Sequence, residues 1–352
     1  MNNYQFDSLK FATEGLTGGG CTIISDVKGL PSFMIPFNKR TNAQLFDGGS
    51  EKTHSAFLVD DVEYKRFFFS KFINCIVDGL AYSWPLVDPK ASINYDASHA
   101  ACNAKGTGWH LASIPERAVI NHLIYKSGFI PRGNTQYGKH HTYTYEVGET
   151  TATEGDGSGG TRTTRTATGS GPATWFHDGT RNGIADYVGD TWKWMSGLRI
   201  VDGEIQIFVG NLAAKQVSHL AASTYWKAIL PNGSLVEPGT AGTLKFTSSL
   251  TIGTDRKATG TPSKVFKDIA AESDVQIPEI LRELQIAPVS GVTTYQGTVY
   301  LNTDGERLPF VSGSCSHTSN AGPSALYLRN PRSFVGTGLG FFSAFMELES
   351  AI

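Results

Sequence analysis

The chain has 352 residues, a formal net charge of -2 and 40% hydrophobic residues, enough for one large core or two modest ones. Near-neutral charge without a dense Lys/Arg run denies it the phosphate-neutralising surface that nucleic-acid binding needs. No stretch approaches the roughly 18 consecutive apolar residues that span a bilayer, and residues 1–10 lack the apolar centre of a signal peptide. The expectation is therefore no nucleic acid, no membrane insertion and no export signal.

Taken in chain order, residues 1–54 carry Gly18-Gly19-Gly20 and several turn residues, predicting a small β-rich or extended leader or attachment segment. Residues 55–352 form the predicted main domain, opening with strands around Phe57-Leu58-Val59 and Phe67-Phe68-Phe69. Asp96 is placed to cap a short helix through Ala97, Ala100, Ala101 and Ala104, closed by Gly106. Ser113-Ile114-Pro115-Glu116 is a capping box, because a Ser hydroxyl and a Glu carboxylate three residues on can satisfy each other's backbone N–H groups. Val119, Ile120, Leu123 and Ile124 then recur at helical spacing until Gly128 stops the run.

Residues 142–173 are Thr, Gly, Ser and Arg with almost no large apolar side chains, which predicts an exposed loop. Trp192 and Trp194 share one face of a strand, a core pattern. Asp202-Gly203 supplies the positive φ angles of a tight hairpin turn, and places Arg199 and Glu204 on paired strands for a modest ion pair. Within 240–262, Leu244, Phe246, Leu250 and Ile252 alternate as in a β-hairpin. The whole predicts an α+β chain with two helices, many short antiparallel strands, long loops, and insertions near 139–175 and 238–285.

Cys21, Cys75, Cys102 and Cys315 are scattered, with neither the close pairing of a zinc site nor the density of a disulfide scaffold, and read as free thiols. His140-His141 has no third ligand nearby. No metal and no cofactor are expected.

Three blocks, in order, carry a further pattern. The first runs from Ile93-Asn94-Tyr95-Asp96 to Gly108-Trp109-His110-Leu111-Ala112-Ser113 and on to Pro131-Arg132-Gly133-Asn134 and Tyr137-Gly138. The second holds Asn182-Gly183-Ile184-Ala185-Asp186, Gly189-Asp190-Thr191-Trp192-Lys193-Trp194, and residues 197–206. The third includes Leu308-Pro309, Ala321-Gly322, Pro331-Arg332-Ser333 and Gly340-Phe341. Together the blocks resemble the formylglycine-generating-enzyme-like branch of the C-type lectin fold, as found in variable proteins of diversity-generating retroelements, and depart from it at Val311-Ser312-Gly313-Ser314-Cys315, where the family often has Arg-Gly-Gly-x-Trp, and at Phe342, where its usual residue is Arg.

Residues 310–344 contain no Lys, Glu, Gln, Met or Trp, where composition alone would supply about five. None of those five is encoded by a codon ending in pyrimidine after two free positions. In the family resembled, diversification randomises the first two positions of AAY codons and so produces that exclusion. The resemblance implies a variable region near 310–344 on a fixed framework of Leu326, Leu328, Arg332, Gly340 and neighbours. The candidate variable, ligand-binding positions are Ser314, Ser316, His317, Thr318, Ser319, Tyr327, Arg329, Asn330, Phe334, Val335, Thr337, Leu339 and Phe342. All are expected to reach solvent, since burial would couple every change to stability.

The implied function is non-enzymatic binding of a protein or glycan receptor on a cell surface, at a phage tail tip or as a bacterial protein in the cytoplasm or at the cell surface. A homo-oligomer is implied too, a trimer for a tail-tip protein. The alternatives are a copper-dependent oxidase of the formylglycine-generating type, which needs two close cysteines where only Cys315 lies C-terminal, and a structural tail-fibre component, which would pack Tyr327, Phe334 and Phe342 in the core or in a subunit contact. A calcium-dependent lectin is disfavoured because the chain lacks both Glu-Pro-Asn and Trp-Asn-Asp.

Overall fold

In the computed structural model, which describes residues 3–348, short strands and a few helices form an α+β architecture, and no sheet among the described residues closes into a barrel. Five α-helices occur among the described residues: α1 (Asn3–Thr17), α2 (Asn42–Leu45), α3 (Tyr95–Asn103), α4 (Ile114–Ser127) and α5 (Glu279–Glu283). The expectation of two is met by α3 and α4, and the other three are additions.

A five-stranded antiparallel sheet runs in the order Thr22–Ser25, Pro31–Asn38, Arg66–Ser70, Ser343–Phe345, Trp109–Leu111. The first two strands belong to the predicted leader and are two fifths of a sheet completed by the C-terminal block. The leader's first element is helical rather than β. Phe11 and Leu16 of α1 stay exposed while Thr13 is buried, a face too mixed for sequence periodicity to register.

A second sheet, six-stranded, runs Ser263–Val265, Thr298–Leu301, Leu326–Leu328, Phe310–Val311, Trp192–Trp194, Leu339–Phe341. Two of its pairings are parallel, Thr298–Leu301 with Leu326–Leu328 and Trp192–Trp194 with Leu339–Phe341. A third sheet holds the predicted hairpin Leu198–Val201 and Glu204–Ile207, turned at Asp202 (φ 48°) and Gly203 (φ 83°). It also takes in strands Lys245–Phe246 and Ile252–Gly253, which bury Leu244, Phe246, Leu250 and Ile252 as their alternation predicts.

Helix α4 begins as read: Ser113 accepts from the Glu116 N–H, Glu116 reaches back to the Ser113 N–H at 2.9 Å, and Gly128 closes it at φ 76°. Glu116 also accepts from His110 Nε2 at 2.8 Å and Asn211 Nδ2 at 2.9 Å, so the capping carboxylate is a fully buried hub. For α3 the cap is Asn94, whose side chain accepts from the Ala97 N–H. Asp96 sits two residues later and pairs with Arg332 at 3.0 Å instead. The predicted Arg199–Glu204 pair does not form. Register sets Arg199 opposite Gln206, and Arg199 bonds that amide at 2.7 Å and Glu306 at 3.0 Å, while Glu204 accepts from Gln206, Gly239 and Thr243.

Residues 142–173 are not featureless. Strands Thr150–Gly155 and Thr161–Thr166 pair as an exposed ribbon. Its order comes from the ladder and from polar contacts in place of apolar burial: Thr150 to Thr163 at 2.8 Å, Arg162 over the Tyr137 ring at 4.0 Å, and Arg165 forked onto Asp88 at 2.8 and 3.1 Å.

Candidate ligand-binding face

Alternation in the six-stranded sheet sends one side of Leu326–Leu328 inward and leaves Tyr327 half-buried on the other side. Parallel pairing sets Tyr300 beside Tyr327, and antiparallel pairing sets Phe310 against it, with rings 4.6 Å apart and 12° from parallel. Trp192 meets Tyr327, Phe310 and Tyr300 edge to face at 5.5, 5.4 and 6.4 Å, and Phe334 lies over Phe310 at 6.3 Å. These five rings make a platform whose base, Trp192 and Phe310, is buried and whose rim, Tyr300, Tyr327 and Phe334, reaches solvent.

His317 closes one end. The Trp192 indole N–H donates to His317 Nε2 at 3.3 Å, so the other ring nitrogen carries the proton and donates to Ser314 Oγ at 2.9 Å. Burial lowers the His317 pKa to about 4, which keeps the ring neutral as this pattern requires. At the other end Arg329 lies 5.2 Å from the Tyr300 ring centre and donates to the Thr261 and Pro262 carbonyls.

The candidate positions arrive on three neighbouring segments. Ser316, His317, Thr318 and Ser319 occupy a loop docked through Thr318 N–H to the Thr135 carbonyl and Tyr137 N–H to the Cys315 carbonyl. Tyr327 lies within the Leu326–Leu328 strand and Arg329 and Asn330 just after it, and Phe334, Val335 and Thr337 lie on the next loop. These ten are exposed or half-buried. The remaining three contradict the expectation of exposure: Ser314, Leu339 and Phe342 are 5%, 2% and 1% exposed. Ser314 turns inward to His317, Leu339 pairs with Trp192 in the sheet, and Phe342 packs 5.1 Å from Phe69 in the main core. Of the three aromatic residues whose burial a structural-component reading requires, only Phe342 is in the core.

Below the face, fixed groups hold the backbone. Arg117 on α4 is fully buried and donates to the Pro323 carbonyl at 2.6 Å and to that of Ala325 at 3.3 Å, and Asn121 donates to Pro323 at 2.9 Å. Arg332 forks onto Glu306, and the Tyr95 and Ser92 N–H groups take the Arg332 and Gly336 carbonyls. Arg165, from the exposed ribbon, donates to the Thr337 carbonyl at 3.3 Å. Arg165→Ala is expected to change global stability by less than about 1 kcal/mol, because the Asp88 pair is partly exposed. Amide hydrogen exchange across 333–338 should nevertheless accelerate, and unchanged exchange there would refute this coupling.

Sequence reasoning did not find Tyr300, Phe310 or the ribbon residues Arg162 and Arg165 as neighbours of the face. A signal for Tyr300 existed in Thr298–Leu301, where Val299 and Leu301 are core and the residue between them is not. All four cysteines are free. Burial raises Cys21 and Cys75 to about 11 and Cys315 to about 12, so each is held as the thiol, the poorer nucleophile and metal ligand. Among the described residues no group of three or more His, Cys, Asp or Glu is placed to hold a metal ion, and no helix is long and apolar enough to cross a membrane. No protein-family profile matches the chain, and a search of curated proteins finds no match.

Proposed function

We propose that this chain is a non-enzymatic receptor-binding protein that displays a changeable surface on a C-type lectin framework of the formylglycine-generating-enzyme-like branch. The observation that carries the reading is the segregation of the C-terminal block. Ten candidate positions gather at solvent around an aromatic platform, while Leu326 and Leu328, which alternate with Tyr327 and Arg329, are buried. Tyr, Phe and Arg at such a rim supply much contact area at low entropic cost, the chemistry of binding hot spots. The partner is a protein or glycan on a cell surface, and the setting a phage tail tip or a bacterial relative of one.

A library randomised at Ser316, Ser319, Asn330, Val335 and Thr337 tests it. Most members should keep their stability within about 0.5 kcal/mol of the parent, as surface substitutions do, and selection against a purified protein such as lysozyme should enrich binders. General unfolding of the library, or no enrichment, would overturn the reading. Adjoining DNA is expected to encode a reverse transcriptase beside a near-copy of the codons for 310–344 that differs at adenines. Oxidation of a peptide thiol by the copper-loaded chain would decide for the oxidase instead.

A further inference from the structure

A cleft of about 1240 Å³ lies apart from this face and includes none of its residues, open between the 58–63 hairpin, the 231–233 turn and residues 276–283. Leu58, Leu235, Ile277 and Ile280 give it apolar walls, and six carboxylates line it against three cations. Two of the six are neutralised, Asp60 by Lys215 and Glu63 by Lys39, and one of the cations, Lys227, is drawn away to Glu237. Glu51, Asp61, Glu279 and Glu283 have no ion-pair partner among the described residues.

The floor is built for a donor. Glu279 is oriented by Asn42 Nδ2 at 2.9 Å and the Ser50 N–H at 2.8 Å, and Glu283 by the Ser55 N–H at 2.7 Å and Asn42 Nδ2 at 3.1 Å. Beside them Asn42 Oδ1 and Ser55 Oγ, on side chains only 1% and 7% exposed as residues, have no hydrogen-bond partner. A buried polar atom without a partner costs about 1–3 kcal/mol, so two on one floor mark a place where a partner is owed. Two carboxylates, an amide oxygen and a hydroxyl form a set of acceptors, and its complement is a cation with several N–H groups. Arg282, on the same helix, leaves its Nε unpaired, a donor suited to a carbonyl.

We infer that the cleft takes an arginine or lysine side chain of an extended partner peptide. The ammonium or guanidinium group sits against Glu279, Glu283, Ser55 and Asn42, its stem lies along the apolar walls, and a backbone carbonyl of the peptide meets Arg282. The volume exceeds that of a lone diamine, which favours a peptide over a free small cation.

Calorimetry with acetyl-Gly-Arg-Gly-amide on the full chain tests this. Saturable one-to-one binding is expected, at least tenfold weaker for the isosteric citrulline peptide, at least tenfold weaker on Glu279→Gln, and severalfold weaker on Ser55→Ala, which removes only an unpartnered hydroxyl. Ser316→Ala, on the distant face, should leave it unchanged, so the cleft and the display reading fail separately. Absence of binding, equal binding of the citrulline peptide, or wild-type affinity in both cleft variants overturns the inference. Agmatine binding more tightly than the peptide overturns the choice of a peptide source.

Discussion

Acidification from pH 7 to pH 4 is expected to remove most of the chain's stability. Burial lowers His122 to about 3 and His177 to about 4 from an ordinary 6.5, at 3% and 9% exposure. Each shift corresponds to about 3–5 kcal/mol at 1.36 kcal/mol per unit. A pKa depressed on folding means that the unfolded chain binds the proton first. The contribution is therefore complete above pH 6.5, shrinks as pH falls, and is gone below the folded value. His99, His140 and His317 are lowered in the same direction, to about 4 each. Among the histidines only His110 goes the other way, held up by Glu116 against its own burial, and the buried carboxyl of Asp186, raised to about 7, offsets part of the loss because the folded chain binds that proton first. A typical domain has about 5–15 kcal/mol in total, so a few of these rings decide the outcome. Denaturant unfolding at pH 7, 5.5 and 4.5 should give steadily falling free energies, and a flat profile over that interval would mean that the rings are charged in the native state.

Trp194→Ala is expected to cost about 3–5 kcal/mol, the range for emptying a large buried aromatic site. Trp194 is fully buried, donates its indole N–H to the Ile93 carbonyl at 3.0 Å, and stands edge-on to Phe310 at 5.0 Å and Tyr95 at 5.7 Å. Its loss strands that carbonyl and undercuts Phe310, the ring on which Tyr327 rests. Ligand affinity should therefore fall with stability even though Trp194 never reaches the surface. Thermal melting measures the first effect. Trp194→Phe, which keeps an aromatic ring, should recover part of it, and a variant as stable as the parent would contradict the packing described.

What the sequence makes legible is what neighbours in the chain decide. The box at Ser113 and Glu116, the turn at Asp202-Gly203 and the alternation of Leu244 to Ile252 each rest on contacts within a dozen residues, so their patterns survive translation into structure. The failures share another cause. Arg199 finds Glu306, not Glu204, and Asp96 finds Arg332 instead of capping α3, because these partners come from over a hundred residues away. The 150–166 ribbon is invisible to a search for apolar burial because hydroxyl and guanidinium contacts order it. At the face, the alternation around Leu326 and Leu328 identifies Tyr327. It could not reveal Tyr300 as its neighbour, since that follows from parallel pairing, nor that Leu339 and Phe342 turn inward where the block re-enters the sheets.

The strand Ser343–Phe345, last in the described chain, lies in the interior of its sheet between Arg66–Ser70 and Trp109–Leu111. During synthesis the earlier strands must wait with two edges unpaired until the ribosome has passed residue 345. A stop codon or frameshift anywhere in 310–344 is therefore expected to yield a product that cannot close the sheet and is open to proteolysis. Under the diversification proposed above, rewriting those codons would work upstream of its own proofreader, since folding would favour messages read through to the final strand.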